Sequence, residues 1–146
     1  MTWEDNLVCD AGRIACILRQ AHTIAVVGAK EGVFEPAFFV PRYLQSQGYR
    51  IIPVNPKFQT ILGQRCLASL LEVTERVDIV NVFRAPHNLM PHTREALHLG
   101  PRVFWMQEGI AHGEAARLLA EAGILVVQNR CIMRDHELFV AAGGEY

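Results

Sequence analysis

Apolar positions in this chain fall into short unbroken runs, separated by stretches in which they recur at helical spacing. Five runs stand out: Thr23–Val27, Tyr49–Val54, Val77–Val82, Arg102–Met106 and Ile124–Val127. Short, β-branched runs of this kind read as strands of a parallel sheet buried on both faces. The stretches between them predict helices. Asp5 to Gln20 reads as an amphipathic helix, with Asp5 as its cap and Leu7, Cys9, Ile14, Cys16, Ile17 and Leu18 toward one side. Pro36 to Gln47 suits a second helix stopped by Gly48, and Pro41 is expected to delay its regular part to Arg42–Ser46. Further helical stretches are expected around Ser69 to Val73, from Pro86 and Asn88 to about Leu99, from Gly113 to Ala122, and from Asp135 to Ala142.

Five strands alternating with helices imply parallel pairing through right-handed crossovers. The expected architecture is α/β: a doubly wound, open, five-stranded parallel sheet in a single domain over residues 1–146. Ligands of such sheets lie beyond the carboxyl ends of the strands, where the strand order reverses. Five loops should therefore share one rim: Gly28–Glu35, Asn55–Phe58, Phe83–Pro86, Gln107–Ile110 and Gln128–Ile132.

The first of these loops points to a phosphate. It joins an apolar strand to a helix, whose N-terminus offers unpaired N–H groups and a positive dipole end. Gly28 lacks the Cβ that would keep a ligand from the backbone. The spacing Gly28-x-x-x-Gly32 is neither the dinucleotide fingerprint nor a P-loop, so an ordinary tight turn explains it equally well. The second loop narrows the choice. Asn55-Pro56-Lys57 is neutral then basic, where an unphosphorylated nicotinamide dinucleotide would call for an acid. Lys57 suits an extra phosphate on the ribose, or is a solvated surface lysine. Arg42 and Arg84 can add charge to the same rim. Phe83 and Pro86 offer flat surfaces for an adenine, although core packing accounts for Phe83 as readily.

Totals exclude several classes. The 146 residues are 51% hydrophobic and 20% charged, with a net charge of -1, so nothing pulls the chain toward nucleic acid or an anionic membrane. No apolar run reaches membrane-spanning length. Cys9, Cys16, Cys66 and Cys131 form no C-x-x-C pair and are expected as buried reduced thiols, and the acidic start Met1–Asp5 has no signal pattern. A cytoplasmic protein is expected. His87, His92 and His98 are five and six residues apart, not the three or four that would place metal ligands on one helix face. Glu31, Glu35 and Glu108 can meet at the rim, but their spacing assigns no acid and base roles.

Ile24–Ala29, Arg42-Tyr43-Leu44, Gly48–Lys57, Val77–Arg84, Val103–Ile110 and Asn129–Ile132 together resemble the stand-alone CoA-binding proteins. These are related to the nucleotide-binding domain of the alpha subunit of succinyl-CoA synthetase. The resemblance spans roughly Asp5 to His136 and implies a Rossmann-like site for coenzyme A or an acyl-CoA. It implies that Gly28, Ala29 and Lys30 meet the pyrophosphate through backbone groups. It sets Asn55, Pro56 and Lys57 around the adenosine, with Lys57 toward the ribose phosphate. Phe83, Arg84 and Pro86 would flank the adenine, and Gln107, Glu108 and Gly109 the pantetheine arm. Cys131 would stand near its outer end, where it could form a mixed disulfide with the ligand thiol. The chain departs from these relatives at Lys30–Pro36, which replaces a serine and a basic loop and adds two carboxylates.

Non-enzymatic binding is expected, because the synthetases use further domains with a phosphorylated histidine and a nucleotide-grasping module. The alternatives are an NAD(P)-dependent oxidoreductase or redox sensor, and a protein-interaction subunit with a degenerate nucleotide site. Neither a protein partner nor homo-oligomerisation can be read from the sequence.

Overall fold

In a computed structural model that describes residues 2–142, five parallel strands form one sheet: β1 (Thr23–Val27), β2 (Arg50–Val54), β5 (Ile79–Val82), β6 (Val103–Met106) and β7 (Leu125–Val127). Met1 and residues 143–146, the two ends of the expected domain, lie outside the described residues. The strands lie in the order β2-β1-β5-β6-β7, so the order reverses between β1 and β5. Two short strands, β3 (Thr60–Ile61) and β4 (Gln64–Arg65), form a separate antiparallel hairpin. The helices are α1 (Ala11–Gln20), α2 (Pro36–Ser46), α3 (Leu89–Leu99), α4 (Gly113–Glu121) and the short α5 (Ile132–His136), which runs into a π-turn at Glu137–Ala141.

Alternation along the strands builds two cores. Ile24, Val26, Ile51, Ile79, Val103, Trp105 and Val127 pack with α1, α2 and α5 on one face. Ala25, Val27, Ile52, Val54, Val80, Val82, Phe104, Met106 and Val126 pack with α3 and α4 on the other. Burial of both faces removes any need for polar residues in the strands, so the runs read as continuous. Among the described residues of the sheet, Asn81 is the buried polar exception: it is fully buried, and its Nδ2 donates to Gln107 Oε1 at 3.2 Å.

Four expectations are corrected. The first helix begins at Ala11, because Asp10 Oδ2 accepts the Arg13 amide at 3.0 Å and outcompetes Asp5 as the cap. Residues Trp3–Asn6 form a 3-10 turn, Leu7 and Val8 run along β7, and Val8 donates to the Val126 carbonyl at 2.8 Å. Cys9 and Cys16 are exposed rather than buried, while Cys66 is buried. Pro41 does not delay α2, which starts at Pro36. Proline lacks the amide that would bond the carbonyl four residues back, and the freed Ala37 carbonyl accepts the Lys30 amide at 3.1 Å. The hairpin has no counterpart among the expected elements, since its turn is Leu62-Gly63, with Leu62 at φ 54, instead of the Asn-Gly signature.

Asp78 ties the amino ends of β1 and β5 together: its Oδ2 accepts the amides of His22 at 2.8 Å and Thr23 at 3.0 Å. Burial pushes the Asp78 carboxyl up, but those two amides, with Arg76 and His22, outweigh it and leave it below its ordinary value of 3.8. A depressed pKa means stability that is complete above the unfolded value and lost as the pH falls through the folded one. Asp78→Asn is expected to cost about 1–3 kcal/mol at neutral pH. Urea midpoints for the variant should also change less than those of the parent protein as the pH falls below about 4.

Candidate functional site

The β1–α2 and β5–α3 connections meet at the reversal point. Gly28 donates its amide to the Val54 carbonyl at 2.9 Å, and Phe83 donates to the Val27 carbonyl at 2.9 Å. Gly28 has φ +84, and a Cβ there would stand 2.6 Å from the Phe83 carbonyl oxygen and 3.1 Å from Arg84 Cδ. The close approach expected of a ligand at this glycine is thus made by the chain itself, and Arg84 rests its stem where a side chain would be.

Arg84 lines two cavities at the carboxyl ends of the strands. The larger, about 500 Å³, is walled by the first turns of α2, the Phe83–Ala85 turn, the loop after β6 and the start of α5. That volume suits a small-molecule ligand. Much of the wall is apolar, from Phe39, Val40, Phe83, Ile110 and Met133. Glu35 is the N-cap of α2 but makes no side-chain cap bond, and Pro36 opens the helix, whose first turn holds no acidic residue. The positive end of the α2 dipole therefore borders the cavity. Glu35 and Glu108 bring carboxylates to the same wall, and Glu108 stands 3.9 Å from Arg134 at the surface.

The smaller cavity, about 200 Å³, lies between Gly28, the loop after β2 and α3. Asn55 holds that loop in place: it is 5% exposed, its Nδ2 donates to the Ala29 carbonyl at 2.9 Å, and its Oδ1 accepts the Lys57 amide at 2.9 Å. Lys57, Arg84, His92 and Glu95 all face this space. Among the described residues, Asn81 Oδ1, Arg84 Nε and His92 Nδ1 are buried without a hydrogen-bond partner.

Of the residues singled out in the sequence, Lys30, Phe83, Arg84, Gln107, Glu108 and Cys131 line the larger cavity, and Gly28, Asn55, Pro56, Lys57 and Arg84 the smaller. Four line neither. Ala29 is fully buried and offers its carbonyl to Asn55. Arg42 belongs to a neighbouring groove with Val33 and Tyr43, and its guanidinium stacks 5.3 Å from the Phe38 ring centroid. Pro86 opens the 3-10 turn before α3. Gly109 is a turn residue at φ +88 whose amide donates to Asn129 Oδ1 at 2.7 Å. The expected main-chain cradle is also altered, because the amides of Gly28 and Lys30 are spent on Val54 and Ala37.

Sequence reasoning missed Phe39, Val40 and Met133 as cavity residues, and it weighed His92 only for metal binding. Side chains tilt toward the N-terminus of their helix. A residue one turn into α3 therefore points back at the rim, a signal present in the sequence.

Residues 22–137 match the family described as "CoA binding domain". The Bacillus subtilis protein YneT is 38% identical over 120 residues, covering 82% of this chain and 89% of YneT. A solved Thermus thermophilus structure is 47% identical with a TM-score of 0.87, covering 90% of this chain and 99% of that one. The ADP-forming acetate–CoA ligase II of Archaeoglobus fulgidus is 32% identical over 71 residues, which cover 47% of this chain and 10% of the ligase. With its reversal-point rim and this match over most of its length, the chain belongs to the CoA-binding domain family.

Proposed function

We propose that the chain binds coenzyme A or an acyl-CoA across both cavities and does so as a binding module, without catalysing a reaction. One observation carries the reading: Arg84 stands in the wall shared by the two cavities, with its buried Nε in no hydrogen bond. A buried guanidinium N–H without a partner is costly, and an anion such as a diphosphate would satisfy it with charge-assisted bonds. The α2 N-terminus favours the same charge. The apolar stretch of the larger cavity suits a pantetheine arm and the beginning of an acyl chain. Kinship to the alpha subunit of succinyl-CoA synthetase forms part of this reading, as do Gln107, Glu108 and Cys131 as neighbours of the arm. Asn55 and Lys57 at the end of β2 argue against an unphosphorylated nicotinamide dinucleotide.

Calorimetry with CoA, dephospho-CoA and NADH tests the proposal. Saturable binding of CoA, with weaker binding of the other two, is expected; no heat at millimolar CoA would remove it. Lys57→Ala should weaken CoA by about 1–3 kcal/mol, as for a hydrogen bond to a charged group, and should leave dephospho-CoA nearly unchanged. An equal loss for both ligands would assign Lys57 another role.

A further inference from the structure

The smaller cavity contains side chains that the reading above leaves unused. His92 and Glu95 lie one turn apart on α3, with Nδ1 3.5 Å from Oε1, and Ser69 Oγ donates to Glu95 Oε2 at 2.7 Å. The Ser69 bond fixes the carboxylate, yet His92 Nδ1 is buried without a hydrogen bond. Arg84, which also lines the space, has its Nε in the same condition. Two side chains that line one cavity, Arg84 and His92, thus each hold a buried nitrogen outside any hydrogen bond, with only the Glu95 carboxylate in ion-pair range of His92, and buried polar groups in that state call for an explanation. Lys57 faces the same space from the loop after β2.

We propose that this cavity is a phosphomonoester subsite, completed by His92, which takes up a proton from solvent when the phosphate enters. The proposal rests on the CoA reading, in which the monoester is the ribose phosphate that dephospho-CoA lacks.

The groups facing His92 decide the sign. Glu95 comes from its own helix, Arg84 from the turn after β5 and Lys57 from the loop after β2. Ser69, from the segment packed on α3, contributes a neutral hydroxyl. Glu72 of that segment and Arg94 of α3 are exposed, and Glu72 accepts the Ala68 amide at 3.3 Å. Burial pushes His92 below the ordinary imidazole range and the Arg84 guanidinium adds to that, against the Glu95 carboxylate. The ring is therefore neutral at pH 7 in the free protein. A phosphate dianion beside it favours the imidazolium, which raises the His92 pKa. A ligand that raises a pKa takes up a proton and binds more tightly as the pH falls through the new value. Phosphomonoesters are dianions above a second pKa of about 6. The preference for CoA over dephospho-CoA should accordingly decline as the pH rises from the His92 value of the free protein through its raised value in the complex.

Histidine ring NMR tests this on the free protein and on its saturated complexes with CoA and with dephospho-CoA, using His92→Gln to assign the resonance. The expected result is a His92 pKa about one unit or more higher with CoA than in the free protein, and little changed with dephospho-CoA. The ratio of the two affinities should fall several-fold across that pH range in the parent protein and stay flat in His92→Gln. If both ligands bind and His92 titrates alike in the two complexes, the subsite proposal is wrong. If neither ligand binds at millimolar concentration, the CoA reading itself fails and takes the subsite with it, an outcome distinguished by the absence of any complex. The parent protein's own titration decides between these results, and His92→Asn supplies the assignment should His92→Gln fold poorly.

Discussion

Gly28→Ala lowers the unfolding free energy by roughly 2–5 kcal/mol. Two separate costs combine. The backbone at φ +84 is one that side-chain-bearing residues rarely adopt, and the new methyl would stand 2.6 Å from the Phe83 carbonyl oxygen. That oxygen belongs to a turn whose own amide is bonded to β1, so it has little freedom to retreat. Gly48 separates the two costs: it has φ +99, and a methyl added there would meet nothing within 4 Å, so Gly48→Ala carries the backbone cost alone. Urea unfolding of both variants should show Gly28→Ala as clearly the less stable. Equal destabilisation would mean that the Phe83 turn yields freely. The same substitution displaces the Arg84 stem, so any folded Gly28→Ala protein should also bind CoA more weakly.

Arg84→Met is the second, and its signature is opposite in kind. The thioether chain keeps the aliphatic contact over Gly28 but removes the guanidinium from both cavities. Loss of its bonds to a diphosphate should cost about 2–4 kcal/mol, or some 30- to 1,000-fold in CoA affinity. The fold should not suffer. A buried Nε without a partner is itself unfavourable, so its removal is neutral or slightly stabilising. Calorimetry and thermal melting on one preparation read both quantities. Unchanged CoA affinity would show that the unpaired nitrogen has no part in ligand binding.

How much of this could be read from the sequence depends on which forces write themselves locally. The strands were legible because burial on two faces leaves an uninterrupted apolar run, and their order along the chain allowed the sheet and its ligand-bearing rim to be inferred. Local competition was harder to see. Asp5 and Asp10 are both acceptable caps, and the course of Leu7 and Val8 along β7, a long-range contact, settles which one starts the helix. Pro41 suggests a late start only if its missing amide is weighed within the helix, whereas the released carbonyl is used by Lys30 from outside it. The site shows the same division. Loop positions were legible, but not every side-chain direction: Arg42 turns onto Phe38, whereas the tilt that aims His92 at the rim follows from its place one turn into α3. Cys9 and Cys16 fit a helical stripe in the sequence, yet Cys9 precedes the shortened α1 and Cys16 lies on its solvent face, away from the buried Ile14, Ile17 and Leu18.

Both borders of the sheet carry a single extra rung. Leu7 runs beside Val126 on one side; on the other, Leu67 runs beside Val54, donates to the Pro53 carbonyl at 2.9 Å and accepts the Asn55 amide at 2.8 Å. Pro53, itself on an outer strand, offers no amide to a newcomer. A stranger's extended segment therefore finds the usual docking rail already taken at each end. Main-chain pairing is thereby discouraged at both borders, which shifts recognition toward side chains on the helices and on the ligand-facing loops.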